Sequence, residues 1–212
     1  MDFAVSEKMQ TILGMIDEFV GRELVPMEQE FLRAPFRSLL PEIESKRAKV
    51  KQMGLWAPGH PQKWGGAGLG LVELGLVSEA LGVTPLGHFV FGCHAPDAGN
   101  IEILDQYGTP EQQERWLKPL VAGQIRSCFS MTEVELPGSN PVMMDTTAVR
   151  QGDDWVINGQ KWYTTAADGA AFAVVMAITD PEASPHNRAS MIIVPTDTPG
   201  FDLVRNISVM GH

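Results

Sequence analysis

A change in hydrophobic period near Gly123 constrains this chain more than any other feature: upstream, apolar residues recur every three or four positions, and downstream they alternate. Met9, Ile12, Ile16, Phe19 and Val20 make one apolar stripe, with Lys8, Gln10, Asp17 and Glu18 between them. That spacing predicts an amphipathic helix over about 6–24, kinked or ended by Pro26. A second helix is expected to start at Pro41, a favoured first-turn residue. It would turn Ile43 and Val50 to a core and Lys46, Arg47, Lys49 and Lys51 to water. Residues 71–81 are apolar nearly all round, which predicts a buried helix. Asp97 can cap a helix carrying Ile101, Leu104 and Tyr107, and Gly108 can end it. Thr109-Pro110-Glu111-Gln112 reads as a capping box with proline in the first turn; Trp116, Leu117 and Leu120 follow, and Gly123 closes that helix.

The second half predicts strands. Candidates lie at 128–131, 146–151 and 155–157, the last two joined by a Gly152-Asp153-Asp154 turn. Asn158-Gly159 is a two-residue hairpin signal leading into a further strand over 160–165. Residues 171–178 and 190–194 are apolar enough for central strands, with a polar loop over 180–188, and 201–204 follow a Thr198-Pro199-Gly200 turn. The expected fold class is therefore α+β: an all-α helical domain over 1–122, then a β-barrel or sandwich domain over 123–212.

Composition narrows the function. A formal net charge of −10 argues against a nucleic-acid partner, whose phosphates need a basic face. Two cysteines, Cys93 and Cys128, make no secreted disulfide framework and read as small buried residues. No apolar run approaches the roughly 20 residues needed to span a bilayer. The start, Met1-Asp2-Phe3, is acidic and mixed rather than a secretory signal, so the chain is read as cytoplasmic. His60, His88, His94, His186 and His212 lack metal-ligand spacing, and no metal site is expected. No nucleophile elbow or Ser/His/Asp arrangement supports a hydrolase. The run Trp64-Gly65-Gly66-Ala67-Gly68-Leu69-Gly70 lacks the Gly-Lys-Ser/Thr ending of a phosphate loop and follows no strand; it reads as a tight loop leading into the 71–81 helix.

Two segments remain. Phe129-Ser130-Met131-Thr132-Glu133 and Trp162-Tyr163-Thr164 each set an aromatic or apolar surface beside a hydroxyl and backbone amides, a combination that suits a flat, polar-edged cofactor such as a flavin ring. Met131 and Thr132 can present a side chain and a backbone N–H to a ring edge. Gly138 lets backbone come close to a ligand, and Ser139 offers a hydroxyl there.

Taken in order, these segments resemble the acyl-CoA dehydrogenase family. Its pattern is roughly aromatic-x-Met-Thr-Glu-Pro, then Gly/Ser-Ser-Asp, then Ile-Asn-Gly-x-Lys-x-Trp-x-Thr/Ser. Here the stretches read Phe129-Ser130-Met131-Thr132-Glu133-Val134, Gly138-Ser139-Asn140 and Ile157-Asn158-Gly159-Gln160-Lys161-Trp162-Tyr163-Thr164. Tyr107-Gly108-Thr109-Pro110-Glu111-Gln112 and Trp116-Leu117-Lys118-Pro119-Leu120 fit the helix before the family's first strand. Ala95-Pro96-Asp97-Ala98-Gly99-Asn100 is similar to the longer branch, whose members can be fused to a kinase-like domain. Val134 stands where the family has proline, and Asn140 where it has aspartate.

The resemblance implies a helical domain, a middle β domain and a C-terminal four-helix domain, with FAD between the last two; set against it, this sequence is expected to be a truncated fragment, with the β domain incomplete and the four-helix domain absent. It implies FAD contacts from Phe129, Met131, Thr132, Glu133, Gly138, Trp162, Tyr163 and Thr164, with Ser139 toward the acyl-CoA. The family reaction takes a proton from the carbon beside the thioester carbonyl and a hydride from the next carbon to flavin N5; electrons then leave to an electron-transfer flavoprotein. The full-length protein is expected to be a homo-oligomer. The family's base is a carboxylate of the C-terminal domain, so no catalytic residue is assigned within this sequence, and the 212-residue chain is expected to bind FAD poorly and turn over no substrate. Two alternatives stay open: a non-catalytic binding remnant, and an acyl-CoA oxidase or flavin monooxygenase of the same superfamily.

Overall fold

The structure is a computed structural model that describes residues 4–138 and 140–208. Contacts divide it into a helical unit ending at Gly123 and a sheet unit beginning at Gln124.

In the helical unit, Ser6 caps the helix Glu7–Phe19 by accepting the Met9 amide, and Met9, Ile16 and Phe19 are its buried stripe. A π-turn, Val20–Leu24, and a short 3-10 segment, Val25–Met27, carry the chain past Pro26. The second helix starts earlier than its proline predicts. It spans Phe36–Gln52, with Pro41 inside it. Its buried residues are Leu39, Ile43, Arg47 and Val50. Arg47, expected in water, falls on the same helical face as Ile43 and Val50. Its guanidinium sits 4.8 Å from the Trp56 ring centroid and 4.9 Å from that of Phe89, and Nη1 donates to Glu44 at 2.6 Å. Two aromatic faces and one carboxylate replace part of the water it loses, while its buried Nε has no hydrogen-bond partner.

The helix Leu71–Leu81 forms as expected, but it is not buried all round. Val77 and Leu81 are fully buried, whereas Leu71 is 86% exposed. The glycine-rich run is indeed a loop leading into this helix. Asp97 is the first residue of the helix Asp97–Tyr107 rather than its cap, because Pro96 occupies the cap position. Thr109 does form a reciprocal capping box with Gln112. Both cysteines are free, and burial pushes the Cys93 thiol up to about 12. Among the described residues, no helix is long and apolar enough to cross a membrane.

The sheet unit is one mixed sheet of five strands: β1 (Ser127–Ser130), β2 (Thr147–Gln151), β3 (Asp154–Asn158), β4 (Phe172–Ile178) and β5 (Ala189–Pro195). β4 is its centre, and every residue from Phe172 to Val175 is buried. β5 pairs antiparallel along its whole length. Its other edge is shared by β1, parallel from Ser127↔Phe172 to Ser130↔Val175, and by β2 at Thr147↔Ile178. Sharing one edge between two strands brings the end of β1 close to the start of β2, and the candidate site forms there. β2 and β3 make an antiparallel hairpin turned by Gly152 at φ 65.

Two expected strands are missing. Residues 160–165 make only an isolated bridge, Glu133↔Lys161, and Tyr163 at φ 51 cannot continue an extended run. Residues 201–204 form no strand either.

Candidate functional site

After β1 the chain runs irregularly through Met131, Thr132 and Glu133. After β3 it passes Gly159, where a Cβ would lie 2.2 Å from Thr146 Oγ1, so only glycine lets the backbone through without a shift. The two segments then meet. The Trp162 amide donates to the Thr132 carbonyl at 2.8 Å, one residue beyond the Glu133↔Lys161 bridge.

Glu133 is the fastener. It is 8% exposed, and both carboxylate oxygens are engaged. Oε1 accepts the Thr146 amide at 2.8 Å and the Lys161 ammonium at 2.9 Å; Oε2 accepts the Asp145 amide at 2.6 Å. Burial alone would raise this carboxyl; donors of Thr146, the Asp145 amide and Lys161 outweigh it and hold the group at about 2. Lys161 also donates to the Met131 carbonyl at 2.9 Å. Burial pushes its pKa down, and Glu133 acts against that shift. One ion pair thus joins the end of β1, the start of β2 and the segment after β3.

Around this fastener lie groups that it leaves unused. Thr132, Trp162 and Thr164 are all half-buried. The Thr132 amide and hydroxyl, the Trp162 indole N–H and the Thr164 hydroxyl make no hydrogen bond to another described residue. Half-buried donors without protein partners are suited to a ligand's polar edge. Phe129 is half-buried on β1, in register with Val174. Gly138 packs on Thr132: a Cβ there would lie 2.6 Å from Thr132 Cγ2. Tyr163 is 55% exposed, and its ring stands edge-on to Trp162 at 4.9 Å. Its left-handed backbone is uncommon for a bulky residue, and such positions cluster at ligand sites. Ser139 lies outside the described residues. The donors left over on Thr132 and Trp162, brought together by the Trp162–Thr132 bond, suit a flat ring with acceptors along one edge.

Sequence reasoning gave Lys161 no role and missed Asp145 and Thr146. For Lys161 the signal was present, since it falls between Gly159 and Trp162 in the motif. For the other two there was none, because only the sheet places them against Glu133.

Residues 6–124 match the family model of the acyl-CoA dehydrogenase N-terminal domain, and residues 128–212 match that of the middle domain. The chain belongs to the acyl-CoA dehydrogenase family. Among its relatives, mouse (Mus musculus) acyl-CoA dehydrogenase family member 10 is 37% identical over 98% of this chain, which spans 20% of that protein. A solved structure assigned as an acyl-CoA dehydrogenase from Mycobacterium abscessus superposes with a TM-score of 0.90 at 38% identity, covering 98% of this chain and 55% of its own. A glutaryl-CoA dehydrogenase from Mycobacterium smegmatis, solved in complex with FADH2, superposes with a TM-score of 0.73 at 29% identity, covering 92% of this chain and 47% of its own. As a family member, the chain carries the N-terminal and middle domains of an oxidoreductase.

Proposed function

We propose that the protein to which these two domains belong is an FAD-dependent acyl-CoA dehydrogenase, taking hydrogens from the two carbons next to the thioester carbonyl and passing electrons to an electron-transfer flavoprotein. The observation that carries this reading is the junction of the 129–133 and 162–164 segments, with its unspent donors. Bound FAD would supply the hydride acceptor. In this reading Phe129, Met131 and Trp162 cover the ring, and Thr132 and Thr164 donate to its edge. Gly138 lets the backbone come close to Thr132. Tyr163 turns the chain between Trp162 and Thr164. Glu133 belongs to the same site, but as a brace: both its oxygens are engaged by protein donors, so it holds the two segments together. Ser139 is assigned by motif to the acyl-CoA side, and a carboxylate from the family's C-terminal domain would take the proton.

The test uses the full-length protein. It should purify with flavin, and its flavin absorption should bleach on anaerobic addition of an acyl-CoA. Purified protein with neither flavin nor acyl-CoA-dependent bleaching would overturn the reading. Rapid reoxidation by air would point to the oxidase branch instead.

A further inference from the structure

The Lys161 ammonium lies between the Glu133 carboxylate and the Met131 carbonyl, 2.9 Å from each. The lysine side chain is 11% exposed and the glutamate 7%, so water screens neither group well. Met131 C=O and Thr132 N–H belong to one peptide group. A cation on the oxygen draws electron density away from the nitrogen and strengthens its N–H as a donor. The next carbonyl, that of Thr132, is held by the Trp162 amide at 2.8 Å. The Thr132 amide is therefore fixed on both sides while donating to no described residue.

We infer that Lys161, anchored by Glu133, is a positioning and redox-tuning residue that acts through the Met131–Thr132 peptide on whatever ring accepts the Thr132 amide. This rests on the flavin reading given above. A ring that gains electrons gains negative charge, and a strengthened donor at its edge favours the reduced form over the oxidised one. Lys161 then raises the midpoint potential without touching the cofactor. Glu133 tempers that effect by partly neutralising the ammonium.

The test compares midpoint potentials and flavin content of the full-length flavoprotein and its K161M, K161R and E133Q variants, measured by dye equilibration at pH 6. K161M is expected to weaken the preference for reduced over oxidised flavin roughly tenfold, a fall of about 30 mV. K161R, which keeps the cation, should restore most of that fall. E133Q, which keeps the ammonium and removes its counter-charge, should shift the potential upward. A purely structural brace would move K161M and E133Q in the same direction, and that outcome overturns the inference, as does an unchanged potential in K161M. Should K161M not fold, E133Q decides: an upward shift supports the inference, and no shift or a fall overturns it. Wild-type protein without flavin would instead be a failure of the flavin reading itself.

Discussion

Two carboxyls, one in each unit, are held at about 2, and they reach that value by different routes. Glu23, in the π-turn after the first helix, accepts Lys46 at 2.6 Å and Lys49 at 2.7 Å. Those two bonds lower it, and each outweighs the opposing effect of burial. Glu133 is pushed up mainly by burial, and donors of Thr146 and Asp145 together with Lys161 must overcome that. Glu23 has no backbone amide among these partners and links two helices at the surface. Glu133 ties three separate stretches of chain. A depressed pKa therefore does not mark a functional site by itself. What distinguishes Glu133 is its neighbourhood, where half-buried donors on Thr132, Trp162 and Thr164 remain without a described partner.

The largest expected effect follows from this contrast. Glu133→Ala leaves the Lys161 ammonium buried without its counter-charge, which should destabilise the sheet unit by about 3–5 kcal/mol. Equilibrium urea unfolding measures this, and a loss below about 1 kcal/mol would remove Glu133 as the brace. The same carboxyl predicts an acid dependence. Its folded pKa of about 2 lies below the ordinary 4.5, so its contribution is complete above 4.5 and is lost as pH falls toward 2. Urea midpoints should drop across that window in the wild type, and the part due to this group should vanish in Glu133→Gln. An equal drop in both proteins would assign the acid sensitivity elsewhere.

Next in size is a steric test of how the second segment reaches Glu133. Gly159→Ala places a methyl 2.2 Å from Thr146 Oγ1, and the strain should cost about 2 kcal/mol. Thr146→Ala in the same chain removes Oγ1 and Cγ2 but leaves Cβ 2.7 Å from the new methyl, so the double variant should recover only part of that loss in urea unfolding. Additive losses would mean that the clash at Thr146 does not set the path of the chain.

The helical unit was the more legible half, because its elements are local. Ser6, Thr109 and Gly108 mark helix ends within a few residues, and the stripe Met9–Ile16–Phe19 is written at spacings of two turns and one. Arg47 was misread as solvent-facing because residue type was weighed over position, although its spacing from Ile43 and Val50 already placed it inside. In the sheet unit, β4 and β5 were evident from their apolar runs. The Asn158-Gly159 step misled. It has hairpin chemistry, but the glycine serves a close approach to Thr146 rather than a turn between paired strands. The meeting of Thr132 with Trp162 was visible only as an ordered pair of motifs, since a contact across thirty residues depends on sheet register. Asp145 and Thr146 carried no signal, because backbone amides recognise Glu133 and any residue but proline supplies one.

The smallest expected effect closes the comparison from the other side. Glu23→Gln removes the charge from two ion pairs whose shared carboxylate keeps access to water: the Glu23 side chain is 28% exposed, that of Lys49 47% and that of Lys46 16%. Solvent and salt screen such pairs, so the loss should be about 0.5 kcal/mol despite a pKa as low as that of Glu133. It should shrink further in 0.5 M salt, where the Debye length is only about 4 Å. The Glu133→Ala loss should persist in the same salt, because screening ions do not enter a buried pair. If both losses fell equally with salt, the two carboxyls would be alike after all, and Glu133 would be a surface pair rather than the fastener of a site.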